Sequence, residues 1–271
     1  MKLKSLIIVA ALLLIPLAAH SETAKEYIDT GVTKAQSGDL KGAREDFTKA
    51  IEKDPNSAEA YYSRALTRAS MGDVKGALSD YDKSIELNSE SAISYNNRGN
   101  VKDDLGDKQG ALEDYNKAIE LSPKYAMAYN NRGNTKIKLK DYQGALEDFD
   151  KSIELNPNFA LGYYNKGLSY YRMDKFEDAI KSYDKAIELD PRFALAYDSR
   201  GTSKALIKDY NGALSDYTRA IDLNPENAKA YYGSGYVKIL LDKKEPGCAD
   251  LKKSEKMGYK EAEKLLKQYC N

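Results

Sequence analysis

Residues 92–125 read AISYNNRGNVKDDLGDKQGALEDYNKAIELSPKY, and residues 126–159 read AMAYNNRGNTKIKLKDYQGALEDFDKSIELNPNF. The second segment repeats the first without an insertion, down to Asn-Asn-Arg-Gly at the same offset. Working outward, Pro123, Pro157, Pro191 and Pro225 keep the same stride of 34 residues, and the series runs back through Ser89 to Pro55. A period held over successive units predicts a stacked array, because each unit must meet its neighbour at one fixed angle.

Each unit is numbered here from place 1, with the proline at place 32 and the first unit starting at Ala24. Place 4 is a tyrosine in all seven units: Tyr27, Tyr61, Tyr95, Tyr129, Tyr163, Tyr197 and Tyr231. Place 8 is small (Gly31, Ala65, Gly99, Gly133, Gly167, Gly201, Gly235), and so is place 20 (Ala43, Ala77, Ala111, Ala145, Ala179, Ala213, Gly247). Place 24 is Phe47, Tyr81, Tyr115, Phe149, Tyr183, Tyr217 and Leu251, and place 27 is Ala or Ser throughout. Places 4, 8 and 11 share one helix face, as do places 20, 24 and 27. The expected unit is therefore an antiparallel helix pair, close at places 8 and 20, with rings filling the space beside them. A Gly-Asp or Lys-Asp pair at places 15–16 is expected to end the first helix, and the proline hands one unit to the next.

These residues, with Gly38-Asp39, Gly72-Asp73 and Gly106-Asp107, resemble the tetratricopeptide repeat over about residues 24–257. The resemblance implies an all-α, right-handed superhelical solenoid of seven helix-turn-helix repeats, at 24–57, 58–91, 92–125, 126–159, 160–193, 194–227 and 228–257. One unit cannot bury its apolar face alone, so stability comes from stacking. A composition of 31% charged and 42% hydrophobic residues suits a large surface over a thin, continuous core. A further helix from Lys260 to Tyr269, within 259–271, carries Ala262, Leu265, Leu266 and Tyr269 on one side and is expected to cap the last seam. In the seventh unit, Pro246-Gly247 marks the expected start of the second helix.

Met1–Ser21 has Lys2 and Lys4, an apolar run from Leu6 to Leu17, and then small residues. That is the three-part pattern of a secretory signal, and the run is short for a membrane span. Cleavage is expected after Ser21 of Ala19-His20-Ser21, giving a bacterial periplasmic or secreted protein; the alternative is an uncleaved N-terminal anchor, the one membrane contact considered. No cysteine follows the apolar run, which argues against a lipid anchor. The only cysteines, Cys248 and Cys270, fall side by side if the last repeat's second helix and the capping helix pack antiparallel. In an exported protein this reads as a disulfide; otherwise they are two unpaired small hydrophobes.

Catalysis is disfavoured. The single histidine, His20, lies in the signal segment, so histidine-activated nucleophiles and histidine-bound zinc are not expected. The glycines and carboxylates recur at repeat period, which assigns them to packing and to solvated surface. No metal, cofactor or small-molecule substrate is therefore expected. Without Lys2 and Lys4 the chain has 40 basic and 42 acidic residues and no basic stripe, so nucleic acid is not an expected partner.

Places 7 and 23 vary together. Arg64, Arg98, Arg132 and Arg200 accompany Asp80, Asp114, Asp148 and Asp216, whereas Lys166 accompanies Ser182. The joint occurrence predicts partly buried, bidentate Arg–Asp pairs joining the two helices, with a ligand-binding role for the arginines as the alternative. Beside Thr30 and Ser234, Asp46 and Asp250 are expected to stay unmatched.

The first-helix face turned away from its partner carries places 2, 6, 9 and 13. It reads Ile93, Asn97, Asn100, Asp104; then Met127, Asn131, Asn134, Lys138; then Leu161, Asn165, Leu168, Arg172. Place 5 beside it is Asn96, Asn130 and Tyr164 in these units. The stripe becomes more apolar at Leu195, Thr202 and Leu206, then Tyr236 and Leu240, beside Tyr232 and Ile239. In tetratricopeptide proteins the first helices line a concave groove. The resemblance therefore implies a groove in which Asn97, Asn131 and Asn165 grip the backbone of an extended peptide, an amide offering donor and acceptor together. Relatives that capture a C-terminal carboxylate present lysine at place 5, but here that place holds Ile28, Tyr62, Asn96, Asn130, Tyr164, Asp198 and Tyr232. The expected function is a non-catalytic scaffold for a protein or peptide partner. The alternative is an envelope assembly component, or a self-associating solenoid, that uses its convex or terminal faces.

Overall fold

The computed structural model describes residues 22–270, so the signal segment expected at 1–21 lies outside the described residues. Among the described residues there are fifteen α-helices and no strand. The pairs are α1 (Ala24–Gln36) with α2 (Leu40–Lys53), α3 (Ala58–Ser70) with α4 (Val74–Leu87), and α5 (Ala92–Asp104) with α6 (Lys108–Leu121). Next come α7 (Ala126–Lys138) with α8 (Tyr142–Leu155), and α9 (Ala160–Arg172) with α10 (Phe176–Leu189). The series ends with α11 (Ala194–Leu206) and α12 (Tyr210–Leu223), α13 (Ala228–Leu240) and α14 (Lys244–Lys256), and a last helix, α15 (Glu261–Tyr269). Each helix packs on the next. First helices of neighbouring repeats also touch, whereas no two second helices approach within 8 Å between Cα atoms. The array therefore curves, with first helices on its inner side.

The turn between paired helices is set by two residues. Place 15 is left-handed in six repeats: Gly38, Gly72 and Gly106 have φ of 88°, 80° and 86°, while Lys140, Asp174 and Lys208 have 65°, 58° and 66°. Asp242 does the same in the seventh, at 58°. Place 16 does more than end the first helix. As N-cap of the second, Asp39, Asp73, Asp107, Asp141 and Asp209 each accept the backbone N–H three residues on, at 2.9–3.0 Å. Lys175 and Lys243 stand there in repeats five and seven and make no such bond. In the core, the place-24 ring lies on the place-8 glycine; a Cβ on Gly133 would sit 2.8 Å from Phe149. Tyr81, Tyr115, Tyr183, Phe47 and Phe149 are buried almost completely, and the place-20 alanines entirely.

Five place-23 aspartates, Asp46, Asp80, Asp114, Asp148 and Asp216, are 3% exposed, Asp250 is more open, and each is bound by one or two cations from its paired helix. Arg64 donates through Nε and Nη2 to the two oxygens of Asp80 at 2.8 Å each, and Arg98 holds Asp114 in the same fork at 2.8 and 2.6 Å. Arg132–Asp148 and Arg200–Asp216 repeat it. Place 11 supplies a second cation: Arg68, Lys102, Lys136 and Lys204 lie 2.8–2.9 Å from the same carboxylates. The expectation that Asp46 and Asp250 lack partners is therefore corrected. Lys34 reaches Asp46 at 2.6 Å, and Lys238 reaches Asp250 at 2.6 Å with Ser234 donating at 2.7 Å. The arginines extend further. Nη1 of Arg64, Arg98, Arg132 and Arg200 bonds Thr48, Asp82, Asn116 and Asp184 of the preceding repeat. Each guanidinium also lies 5.4–5.6 Å from the centre of its own place-4 tyrosine ring, a cation–π contact. Repeat five lacks the node: place 11 is Tyr170, place 23 is Ser182, and Lys166 pairs with Asp150 instead, at 2.6 Å.

At the C-terminal end, α15 packs on α14 and on α13, as the first helix of an eighth repeat would. Ala262, Leu265 and Leu266 close over Leu251, with Tyr232, Tyr236, Ile239 and Tyr269 around them. The second helix of repeat seven starts at Lys244, two residues before Pro246; the proline sits in the first turn, where its missing N–H breaks no helix bond. Cys248 and Cys270 form a disulfide, with Cα atoms 5.7 Å apart.

Asp148→Ala strands two cations and is expected to destabilise by about 3 kcal/mol, against about 1 kcal/mol for the cap variant Asp141→Ala. Urea denaturation of both measures the difference, and equal losses would show that the node is no stronger than a surface pair. Breaking the Cys248–Cys270 link opens a loop of 22 residues, worth about 3 kcal/mol on the chain-entropy model. Thiol titration of the unfolded, unreduced chain is expected to find no free sulfhydryl, and reduction to lower the melting temperature.

Candidate functional site

The inner face is built from the first helices, whose places 2, 6, 9 and 13 point away from the paired second helix. The place-6 asparagines do not stand free on it. Asn97 donates from Nδ2 to the Tyr62 hydroxyl at 3.1 Å, Asn131 to Asn96 Oδ1 at 3.0 Å, and Asn165 to Asn130 Oδ1 at 2.9 Å. Asn96 in turn donates to Asn97 Oδ1 at 3.0 Å, so a chain of hydrogen bonds runs from the Asn131 amide in repeat four back to the Tyr62 hydroxyl in repeat two. Each place-6 amide thus ties its helix to place 5 of the repeat before it. Asn165 is buried, as are Asn96 and Asn130. Neighbouring first helices touch and bring these side chains within reach of one another, so part of the hydrogen-bonding capacity expected to serve a peptide is used inside the array. What a bound backbone could still meet is the remaining capacity of Asn97 and Asn131, which are half-buried.

Places 9 and 13 line hollows in the same face. One of about 540 Å³ spans repeats three to five and is walled by Asn100, Asp103, Asn131, Asn134, Lys138 and Leu168, with Asp104 at its edge. Lys138 is held there by Asp103, with Nζ 2.5 Å from Oδ2. A second, of about 380 Å³, is walled by Tyr164, Leu168, Tyr171, Arg172 and Lys229. A third, of about 450 Å³, lies between Tyr171, Leu206, Tyr232, Tyr236, Leu240 and Tyr259. Leu168 belongs to the first and second hollows, and Tyr171, Thr202 and Lys229 to the second and third, so the three run on from one another. Asn97 and Asn165 line none of them. Leu195 and Leu206 are about half exposed on this side.

Several floor residues were not legible in the repeat pattern. The place-24 tyrosines, which packing alone explains, pass between first helices and bring their hydroxyls to the floor: Tyr115 donates to Asn100 Oδ1 at 2.8 Å and Tyr217 to Thr202 Oγ1 at 3.2 Å. Burial pushes both phenols above their ordinary pKa, so they act as neutral donors. Lys229 at place 2 of repeat seven is 2.9 Å from the buried carboxylate of Asp198. Burial works against its charge, but Asp198 outweighs it, leaving the ammonium pKa raised. The signal available was charge matching across units, since place 5 is acidic in repeat six alone and place 2 becomes lysine in the next repeat.

Asn131→Ala leaves Asn96 Oδ1 without its donor from the next repeat and is expected to destabilise by about 1–3 kcal/mol. Asn134→Ala, half-exposed and without a side-chain hydrogen bond among the described residues, is expected to stay within about 0.5 kcal/mol. Chemical denaturation separates them, and an Asn131 variant of unchanged stability would remove the inter-repeat role.

Comparison with known proteins agrees with this geometry. Tetratricopeptide repeat models match residues 58–91, 92–125, 126–159 and 160–193, and a further repeat model matches residues 33–72. No curated protein matches the sequence. Among solved structures, a tetratricopeptide repeat protein from Parabacteroides merdae superposes with a TM-score of 0.70 at 24% identity, over 92% of this chain and 99% of that one. YrrB, described as a tetratricopeptide repeat protein with an unusual peptide-binding site, gives a TM-score of 0.54 at 28% identity, over 68% of this chain and 95% of its own. PilF of Pseudomonas aeruginosa gives 0.67 at 23% identity, over 76% and 94%. Matched by the repeat models across residues 33–193 and built as consecutive helix pairs, the chain belongs to the tetratricopeptide repeat family, a fold that serves as a scaffold for protein–protein interaction.

Proposed function

We propose that the inner face holds an extended segment of a partner protein, lying across the first helices of repeats three to seven. The observation that carries this reading is the continuity of the three hollows, each sharing wall residues with the next. Their walls change from amides and charges at Asn100, Asn134 and Lys138 to rings and aliphatics at Tyr232, Tyr236 and Leu240. A segment in this groove would meet donors and acceptors at one end and apolar pockets at the other, which is how an extended peptide is read. YrrB's peptide-binding site supports the same use of the fold. The disulfide and the N-terminal sequence pattern support an extracytoplasmic setting, where such a bond persists. Among the described residues no helix is long and apolar enough to cross a membrane.

A second reading, self-association or assembly, has its own observation: Met71, Leu105, Leu139 and Ile207 are each exposed where a first helix ends. Sedimentation across a range of concentrations tests it.

The groove reading is tested with a displayed peptide library and two surface variants. Leu206→Asp, in the third hollow, is expected to weaken selected peptides by roughly tenfold or more with melting unchanged. Glu147→Lys, exposed on α8, is expected to bind as the unaltered protein does. The reverse result would place the partner on the outer face and overturn the groove.

A further inference from the structure

Repeat five departs from its neighbours at the middle hollow. In repeats three and six the place-24 hydroxyl is received by place 9, as Tyr115 on Asn100 and Tyr217 on Thr202. In repeat five place 9 is Leu168, and the hydroxyl of Tyr183 has no hydrogen-bond partner although the side chain is 0% exposed. A buried hydroxyl left unpaired is destabilising, so a group that accepts from it gains a hydrogen bond at no cost to the protein's own pairing. Burial pushes its pKa well above the ordinary value, with Tyr164 and Tyr171 adding to the rise, so it is a neutral donor. The nearby Ser199 hydroxyl, placed outside hydrogen-bonding geometry, and the charge of Arg172 offset part of that rise.

Tyr183 lines the hollow of about 380 Å³ together with Arg172, Ser199 and Lys229. Arg172 is exposed and makes no ion pair among the described residues. No carboxylate lines the hollow. Asp198, just outside it, already neutralises Lys229, so one net positive charge is left over. That balance fits a carboxylate better than a doubly charged phosphoryl group. The groove continues on both sides, through Leu168 one way and Tyr171 the other, so the occupant is reached in mid-segment and not at a chain end.

We propose that this hollow receives the side-chain carboxylate of an aspartate or glutamate inside the extended segment, with Arg172 and Lys229 facing its charge and Tyr183 donating to it. The inference rests on the groove reading and adds the chemistry of one position. It differs from capture of a terminal carboxylate, for which place 5 lacks the lysine.

The test is an array of random nonapeptides, acetylated and amidated so that no terminal charge remains, probed with the whole chain. The tightest binders are then remade with each acidic residue changed to its amide. The expected result is one interior acidic position whose amide form binds roughly tenfold weaker or worse. In Arg172→Gln and Tyr183→Phe that ratio is expected to shrink to about threefold or less. Tyr183→Phe is also expected to melt no lower than the unaltered protein, since it deletes an unpaired hydroxyl; Phe47 and Phe149 already occupy the equivalent place. Binders without a shared acidic position, an acid-to-amide ratio unchanged in both variants, or tighter binding of a phosphoserine form would overturn the carboxylate site. The groove reading survives any of these if Leu206→Asp still weakens binding by roughly tenfold or more. An array without binders, or binders indifferent to Leu206→Asp, would overturn the groove and this site with it.

Discussion

A carboxylate kept almost entirely from water must be matched by positive charge and hydrogen bonds, or it destabilises whatever contains it. The place-23 aspartates impose that condition in repeats one to four and six, and the surrounding structure answers it. Two cations from the first helix reach each carboxylate in repeats two, three, four and six, which fixes the register of the paired helices. The arginine's remaining nitrogen engages the preceding repeat, so the same residue sets the angle between units. Its flat face rests on the place-4 tyrosine, which gives that ring a role beyond filling space. Repeat five omits both the carboxylate and its arginine, which avoids the larger penalty of stranding one partner. Relieved of the node, that repeat carries Leu168, Tyr170 and Arg172 where its neighbours carry mostly amides and lysines.

The helix pairs could be read from the period, and the Arg–Asp forks from the joint variation of Arg64, Arg98, Arg132 and Arg200 with their aspartates. Place 11 gave the same signal less plainly. It is basic in six units and Tyr170 in the one without the aspartate, but lysines on a charged helix look like solvated surface until the carboxylate beneath them is seen. The paths of Asn131 and Tyr115 were not legible, because both depend on the spacing between repeats. The 34-residue period states that units recur, not how far apart they stand. The left-handed turn residues show a different limit. Gly38, Gly72 and Gly106 announce the conformation, while Lys140, Asp174 and Lys208 adopt it with no sequence signal beyond their alignment.

The asparagines carry a more general lesson. A polar residue repeated at structural period is as well placed to bond its own copies as to bond a ligand. At the inner face the two uses compete for the same amide. Asn165 has gone wholly to the first use, Asn134 is free for the second, and Asn131 is divided between them. Specificity then falls to residues that break the period, such as Leu168, Lys229, Tyr236 and Leu240, which give the later repeats walls unlike those of the earlier ones.

The bond between Cys248 and Cys270 also has a direction in time. Cys270 is synthesised after every repeat that precedes it, so the link closes on helices already made. In a stacked array folding can nucleate anywhere and spread to neighbours. When the intact, oxidised chain refolds, the closed loop around α14 and α15 is present from the start. Order can then spread from the C-terminal end towards the beginning, opposite to the direction in which the protein was first built.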